Sequence, residues 1–400
     1  MDEEAKFTAS TLGYLALAAL NCVLLLSYLT THPNFPGDFC AFYTGARIYL
    51  QDPGRVYDLT LQRATEQQLV GRDDIPFNHP PCELLVWLPL ARLSFHAAFW
   101  VWRLASLVLL VIAAKLLATA LCSRLGTPAI FLRALAFFPV PYCLWMGQDS
   151  ILLLAILAAC AWFLARRMEW LAGATLGLAL FKPQLVLPIA AVYLLLPRRR
   201  WRMLRGFLCS GSALLVVSFL MVGYGGMRQL MTILLAGQTA DHMAIHPSMM
   251  PNLRGALSLP LAGHSTLEAV MLSVISLVLL LAARATMQRQ QLPARAFAGL
   301  ICFALLVSFH LNLHDLTLLL LPILLVMQDR MWSREHGWQV AAPVVVLFCT
   351  PAYLAALGAF KVAVFAILVG WLWCGMTSCE AVSSRQAAPS IEERRMAFDN

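Results

Sequence analysis

Residues 171–201 read "LAGATLGLALFKPQLVLPIAAVYLLLPRRRW", and this stretch decides how the chain is read. Two apolar runs meet at Lys182-Pro183 and end on an arginine cluster. Proline cannot carry a helix through its own ring. The stretch therefore reads as two short helices, 168–181 and 183–197, joined by a break that dips from the outer side. Within a membrane such a break is tolerated only where it lines a cavity or is buried in protein. Arginines mark the cytoplasmic side of a span.

The remaining sequence agrees. Of 400 residues, 60% are hydrophobic and 12% charged, with mean hydropathy +0.73. A soluble domain carries about 25% charge. Apolar stretches near the ~20 residues needed to cross the hydrocarbon layer recur along the chain. The expectation is an all-α polytopic membrane protein. The first run, 11–30, follows "MDEEAK" and has no clear small-residue cleavage site, so it reads as a retained span rather than a leader. The formal charge of +8 is mostly loop arginine, an orientation signal rather than a nucleic-acid surface.

Arginine clusters at 123–126, 165–170, 197–205, 283–290 and 328–338 are placed inside, with the tail. Segments 34–80, 146–150, 181–184, 223–264, 309–316 and 351–360 then fall outside. This parity gives about twelve transmembrane helices. They are placed at 11–30, 97–121, 129–146, 150–166, 168–181, 183–197, 205–223, 267–284, 295–310, 312–328, 338–355 and 359–376. Residues 82–93 are too short to span and read as re-entrant or interfacial. The chain is divided as one transmembrane domain over 1–376, holding a first extracytoplasmic loop at 31–80 and a second outer segment at 225–264. A cytoplasmic tail covers 377–400. Both termini are expected in the cytoplasm.

The eleven cysteines show no metal spacing. Most lie in apolar runs as small hydrophobes; Cys40 and Cys82 share the outer region, as two thiols or as a pair. In "PNFPGDFCAFYTGARIYLQDPGRVYD", residues 33–58, Pro36-Gly37 makes a turn and Asp38 occupies a helix N-cap position. Phe39, Phe42, Tyr43, Ala46, Tyr49 and Leu50 recur at helical spacing, the pattern of an amphipathic helix lying in the interface. Asp38 is either a plain cap or a general base, and an ionised carboxylate serves both.

Lys182 at the helix break is either a donor-phosphate ligand or a snorkelling lysine. Arg254 in "MMPNLRGAL" is either a bidentate phosphate ligand or a solvated charge. His310, His314 and Asp315 in "FHLNLHDL" read as sugar or phosphate contacts, or as interfacial residues. A continuous helix would put both histidines on one face, but no third metal ligand is marked. Gln148 and Asp149 could bond sugar hydroxyls or the first outer loop, with Asp149 alternatively capping the helix after it. Tyr43 and Tyr57 are candidate acceptor contacts. Asp73-Asp74, in "GRDDIPFN", reads as a solvated turn. His79, His242 and His246 form no evident constellation. A transporter or flippase is the rival class, set back by the absence of repeats and of paired broken helices.

Several ordered motifs carry a resemblance: "GDFCAFYTGARIYLQDPGRVYD" at 37–58, "FNHPPCELLVWLPLARL" at 77–93 and "WMGQDSILLLAIL" at 145–157. The opening stretch, "MMPNLRGAL" at 249–257 and "NLHDLTLLLLP" at 312–322 complete the set. From about residue 12 to 322 the chain resembles bacterial glycosyltransferase family eighty-seven, polyprenyl-phosphate-mannose-dependent α-mannosyltransferases of the GT-C membrane fold. The resemblance implies inverting transfer on the extracytoplasmic face of the cytoplasmic membrane. The donor would be a polyprenyl-phosphate sugar and the acceptor a membrane lipid, glycan or protein, with no nucleic acid involved. Asp38 would be the catalytic base; Lys182, Arg254 and His314 would bind the donor phosphate. Tyr43, Tyr57, Gln148, Asp149, His310 and Asp315 would face sugar or acceptor. The resemblance implies no metal and no cofactor.

Overall fold

The computed structural model describes residues 3–31, 37–71, 75–120, 125–197, 201–236, 247–289 and 293–328, with the single positions 364 and 368. The expected spans at 338–355 and 359–376, the tail, Asp73, Asp74, His242 and His246 lie outside the described residues. Among the described residues all regular structure is helical.

The first apolar run forms α1, Glu3–Thr31. The loop after it folds into α2 (Phe39–Gln51), α3 (Leu59–Val70) and the short α4 (Leu84–Trp87). The chain stops α2 at Asp52-Pro53, where Asp52 is extended as a residue before proline tends to be. Asp58 starts α3 as a true cap, its Oδ1 accepting from the Thr60 and Leu61 amides at 3.0 and 3.1 Å. The long α5, Phe95–Ala120, follows.

Next come α6 (Thr127–Ala136), α7 (Pro139–Met146), α8 (Ser150–Ala165) and α9 (Glu169–Leu178). They lead to α10 (Pro183–Leu194) and α11 (Trp201–Ala236), which is kinked at Gly223. The described chain closes with α12 (Leu253–Ser258), α13 (Ser265–Arg289), α14 (Pro293–Val307) and α15 (Leu320–Gln328).

Among the described residues three helices are long and apolar enough to cross a membrane: Phe95–Ala120, Trp201–Leu235 and Ser265–Gln288. The pair α6 and α7 makes a fourth if taken as one broken span. Sequence placed a single helix at 129–146; the chain instead bends by 75° between α6 and α7. Pro139 opens α7 and cannot donate back into α6. The other apolar helical stretches, Thr11–Ser27 of α1 among them, run to 10–17 residues. Along α13, Val270, Val274, Leu277, Val278 and Leu281 are exposed. Such a stripe is unfavourable in water and is the ordinary surface a membrane helix shows to lipid.

Among the described residues two cores result. The larger joins α1, α5 to α11 and α13 to α15. Helices α9 and α11 approach closely enough that a Cβ at Gly173 would collide with the Met203 carbonyl, and one at Gly206 with that of Trp170. The smaller core belongs to the first loop. Phe39 stacks on Phe99 at 4.8 Å and Phe42 on Trp87 at 4.4 Å. Residues 39–46 of α2 are all buried. This corrects the half-buried interfacial helix expected from the sequence: α3, α4 and the neighbouring turns pack on α2, and Phe77 lies against Gly45. Cys40 and Cys82 are both buried, and no disulfide joins them.

Candidate active site

Helix breaks supply the site. Gly37 and Gly147 both lie in the left-handed region, at φ +56° and +68°, and each immediately precedes a candidate residue. No room exists for a Cβ at either: the first would strike the Met146 carbonyl, the second the Phe99 ring. The two glycines thereby let the turn before α2 sit against the end of α7, which brings Asp38 and Gln148 together.

Asp38 makes no side-chain cap to α2. Gln148 Nε2 donates to Asp38 Oδ2 at 2.6 Å, and His314 Nδ1 lies 3.9 Å from the same oxygen. The carboxylate is 20% exposed, against 5% for His314. Asp149 likewise makes no cap to α8. It is fully buried and pairs with Lys182, Oδ1 to Nζ 2.6 Å.

Lys182 takes up the turn ahead of Pro183 with φ −114° and ψ 72°. Its Nζ also donates to Asp315 Oδ1 at 2.7 Å and Ser150 Oγ at 2.9 Å. Three partners surround an ammonium that has three hydrogens. The lysine neither snorkels nor presents an unengaged proton. Asp315 is fixed in turn: Ser150 Oγ donates to Oδ1 at 2.8 Å and the Asn312 amide to Oδ2 at 3.0 Å. The Asn312 bond is one arm of a capping box on the 3₁₀ turn Leu313–Leu319. The backbone therefore breaks between His310 and His314, inside the segment 309–316 expected to separate two spans. Both histidines still face one space.

That space is a cavity of about 320 Å³. Its walls come from Asn78, His79 and Pro80 of the loop, Gln148, residues 181–184, Ile233 and Leu234 of α11, and Phe309, His310, Asn312, His314 and Asp315. Asp38 adjoins it through Gln148 and His314, both wall residues. Asp149 sits behind Lys182. Arg254 stays outside the lining: its Nη1 donates to the Phe309 carbonyl at 3.0 Å and its guanidinium stacks 3.9 Å over the Phe309 ring. Tyr43 and Tyr57 are also elsewhere. Their hydroxyls donate to the carbonyls of Leu93 and His79, each at 2.7 Å, and their rings belong to the loop core.

Sequence reading missed His79 and Glu83. His79 lines the cavity, and its Nδ1 lies 2.7 Å from Glu83 Oε2. Their i,i+4 spacing is a usable signal, obscured by the Pro-Pro between them. Ligand atoms of His79, Glu83 and Asp149 lie within 4.8 Å of one another, so this trio could hold a metal ion. The Lys182 ammonium beside Asp149 works against a dication there. In chemical terms the cavity offers one partly exposed carboxylate aligned by an amide, imidazoles on its walls, and a buried ionic post behind them.

The family model of Glycosyltransferase family 87 matches residues 77–309. The chain belongs to that family. It is a membrane glycosyltransferase. No curated protein and no solved structure matches it. The stretch matched to glycosyltransferase family 87 includes Gln148, Asp149, Lys182 and Arg254, while Asp38, His310, His314 and Asp315 lie beyond its ends. In this family 87 enzyme the fold joins both groups in one place: Asp38 through Gln148, and Asp315 through Lys182.

Proposed function

We propose that the cavity is where a sugar, mannose in the first instance, passes from a polyprenyl-phosphate donor to a lipid, glycan or protein acceptor. The reaction runs with inversion on the extracytoplasmic face of the cytoplasmic membrane, within a single domain over 1–376. Asp38 is the base. The observation that carries this is its geometry: at the start of a helix it leaves the cap unmade and turns to Gln148 and His314 on the cavity wall.

A carboxylate so placed can take the proton of the acceptor hydroxyl as that oxygen attacks C1. Gln148 fixes its orientation by donating one amide hydrogen to Oδ2. His314, 3.6 Å from Asp315 and 3.9 Å from Asp38, links base and buried post. Lys182 acts mainly by fixing Asp315, and a donor phosphate reaches its ammonium only by displacing a present partner. Arg254, at the rim through Phe309, is the second candidate for phosphate once its side chain swings inward. Electrostatic stabilisation of the leaving group is commonly the largest catalytic contribution.

The test is sugar transfer in proteoliposomes from a radiolabelled polyprenyl-phosphate donor. Asp38→Asn removes the base while keeping its size, and the rate should fall by roughly 10²-fold or more. Undiminished transfer by that variant removes Asp38 from the chemistry.

A further inference from the structure

We propose that His79, held by Glu83, is the cationic group of the cavity that binds the phosphate of an isoprenyl lipid. This inference rests on the lipid-phosphate donor reading above and assigns its phosphate a place.

The candidates narrow by what each cation already does. Lys182 is surrounded by Asp149, Ser150 and Asp315. Arg254 is held on Phe309 and lies outside the lining. Three histidines remain on the wall. His310 has its Nε2 on the Asn312 amide at 3.2 Å. His314 has carboxylate oxygens only at 3.6 and 3.9 Å. His79 alone among them has a carboxylate at 2.7 Å, that of Glu83, whose other oxygen accepts from Trp87 Nε1 at 3.1 Å. Nδ1 is thereby occupied, and no described residue bonds Nε2.

Charge supports the same assignment. Glu83, Asp149 and Asp315 are buried at 2%, 0% and 1% exposure, and the one buried ammonium among them is Lys182. The ammonium offsets one of these three carboxylates, and a protonated His79 beside Glu83 offsets a second. The groups facing the ring are Glu83 from the adjoining turn, Asp149 at the start of α8, Lys182 at the start of α10 and His310 across the cavity. Burial works against the imidazolium, yet Glu83, with Asp149 behind it, outweighs burial and holds His79 above its ordinary value of 6.5. The positive form is thus kept near neutral pH and lost as pH rises.

The role fits the bond changes. The acceptor oxygen bonds to C1, and the C1–O bond to phosphate breaks with its electron pair left on the phosphate oxygen. The acceptor proton goes to Asp38. The phosphate passes from a singly charged diester to a monoester that takes a second negative charge. An imidazolium on the wall opposes that charge as it develops.

The test uses full-length protein in nanodiscs and farnesyl phosphate as probe, with farnesol as the phosphate-free control. His79→Gln should weaken farnesyl phosphate binding roughly tenfold, the scale of a lost charged hydrogen bond, and leave farnesol binding unchanged. The gap between wild type and His79→Gln should close as pH rises. In Glu83→Gln it should close at a lower pH, because the imidazolium has lost its partner. Equal binding of farnesyl phosphate by wild type and His79→Gln overturns this assignment alone. Wild-type binding that disappears with a chelator and returns with manganese also overturns it, making the trio a cation site. If wild type takes farnesol but no farnesyl phosphate, the lipid-phosphate donor reading falls and this inference with it.

Discussion

Among the described residues three aspartates begin α-helices, and only Asp58 caps. Asp58 accepts from two amides of α3 and from Arg55, which holds its carboxyl below the usual carboxylate range. Asp38 and Asp149 leave their caps unmade and turn to Gln148 and Lys182. Sequence cannot separate these cases, since residue type and position are the same; the difference is what the turn before each one packs against. The contrast predicts opposite phenotypes. Asp58→Ala should lower stability by about 0.5–2 kcal/mol and leave transfer per folded molecule intact. Asp38→Asn should melt with wild type and lose transfer. Thermal melts paired with the transfer assay check both, and a marked loss of stability in Asp38→Asn would make it a structural residue. The same blindness explains Tyr43 and Tyr57: an aromatic in a loop core looks in sequence like one in a cavity.

At the scale of elements, the breaks are the construction. The Lys182 break was legible because proline leaves the helix no alternative. The bend at Pro139 carried the same signal and was passed over inside a uniformly apolar run. The break between α14 and α15 has no proline or glycine; Asn312 and Asp315 make it by reciprocal capping, and Asp315 reads in the sequence as a ligand contact. Two predictions belong here. Gly147→Ala puts a Cβ into the Phe99 ring at a left-handed position. Overpacking of that kind costs about 1–3 kcal/mol, and the variant should also lose transfer because Gln148 moves off Asp38. Lys182→Met leaves Asp149 and Asp315 buried without their counter-charge. Breaking a buried pair from one side costs about 3–5 kcal/mol. Adding Asp149→Asn should return part of that stability, as read by thermal melting. A Lys182→Met chain as stable as wild type contradicts the buried post.

Across the whole molecule, residues from positions 78 to 315 meet at one cavity, and each arrives on a turn or helix end rather than on a regular span. The class of the fold was legible because composition and apolar runs admit little else. The convergence was not, because it depends on how helices of unequal length pack. If the cavity opens away from the cytoplasm, an epitope inserted after exposed Gly71 should be reached by antibody on intact spheroplasts. One inserted after exposed Arg167 should be reached only after permeabilisation. The reverse pattern places the site on the other face. The central claim, that this cavity holds the lipid-linked donor, is tested most directly by photo-crosslinking. A short polyprenyl-phosphate sugar with a photoreactive group beside its phosphate is irradiated with the reconstituted protein, and the labelled peptides are read by mass spectrometry. Labelling should fall on residues 78–80, 181–184 and 309–315 and be competed by unlabelled donor; competed labelling confined to other parts of the chain would contradict the account.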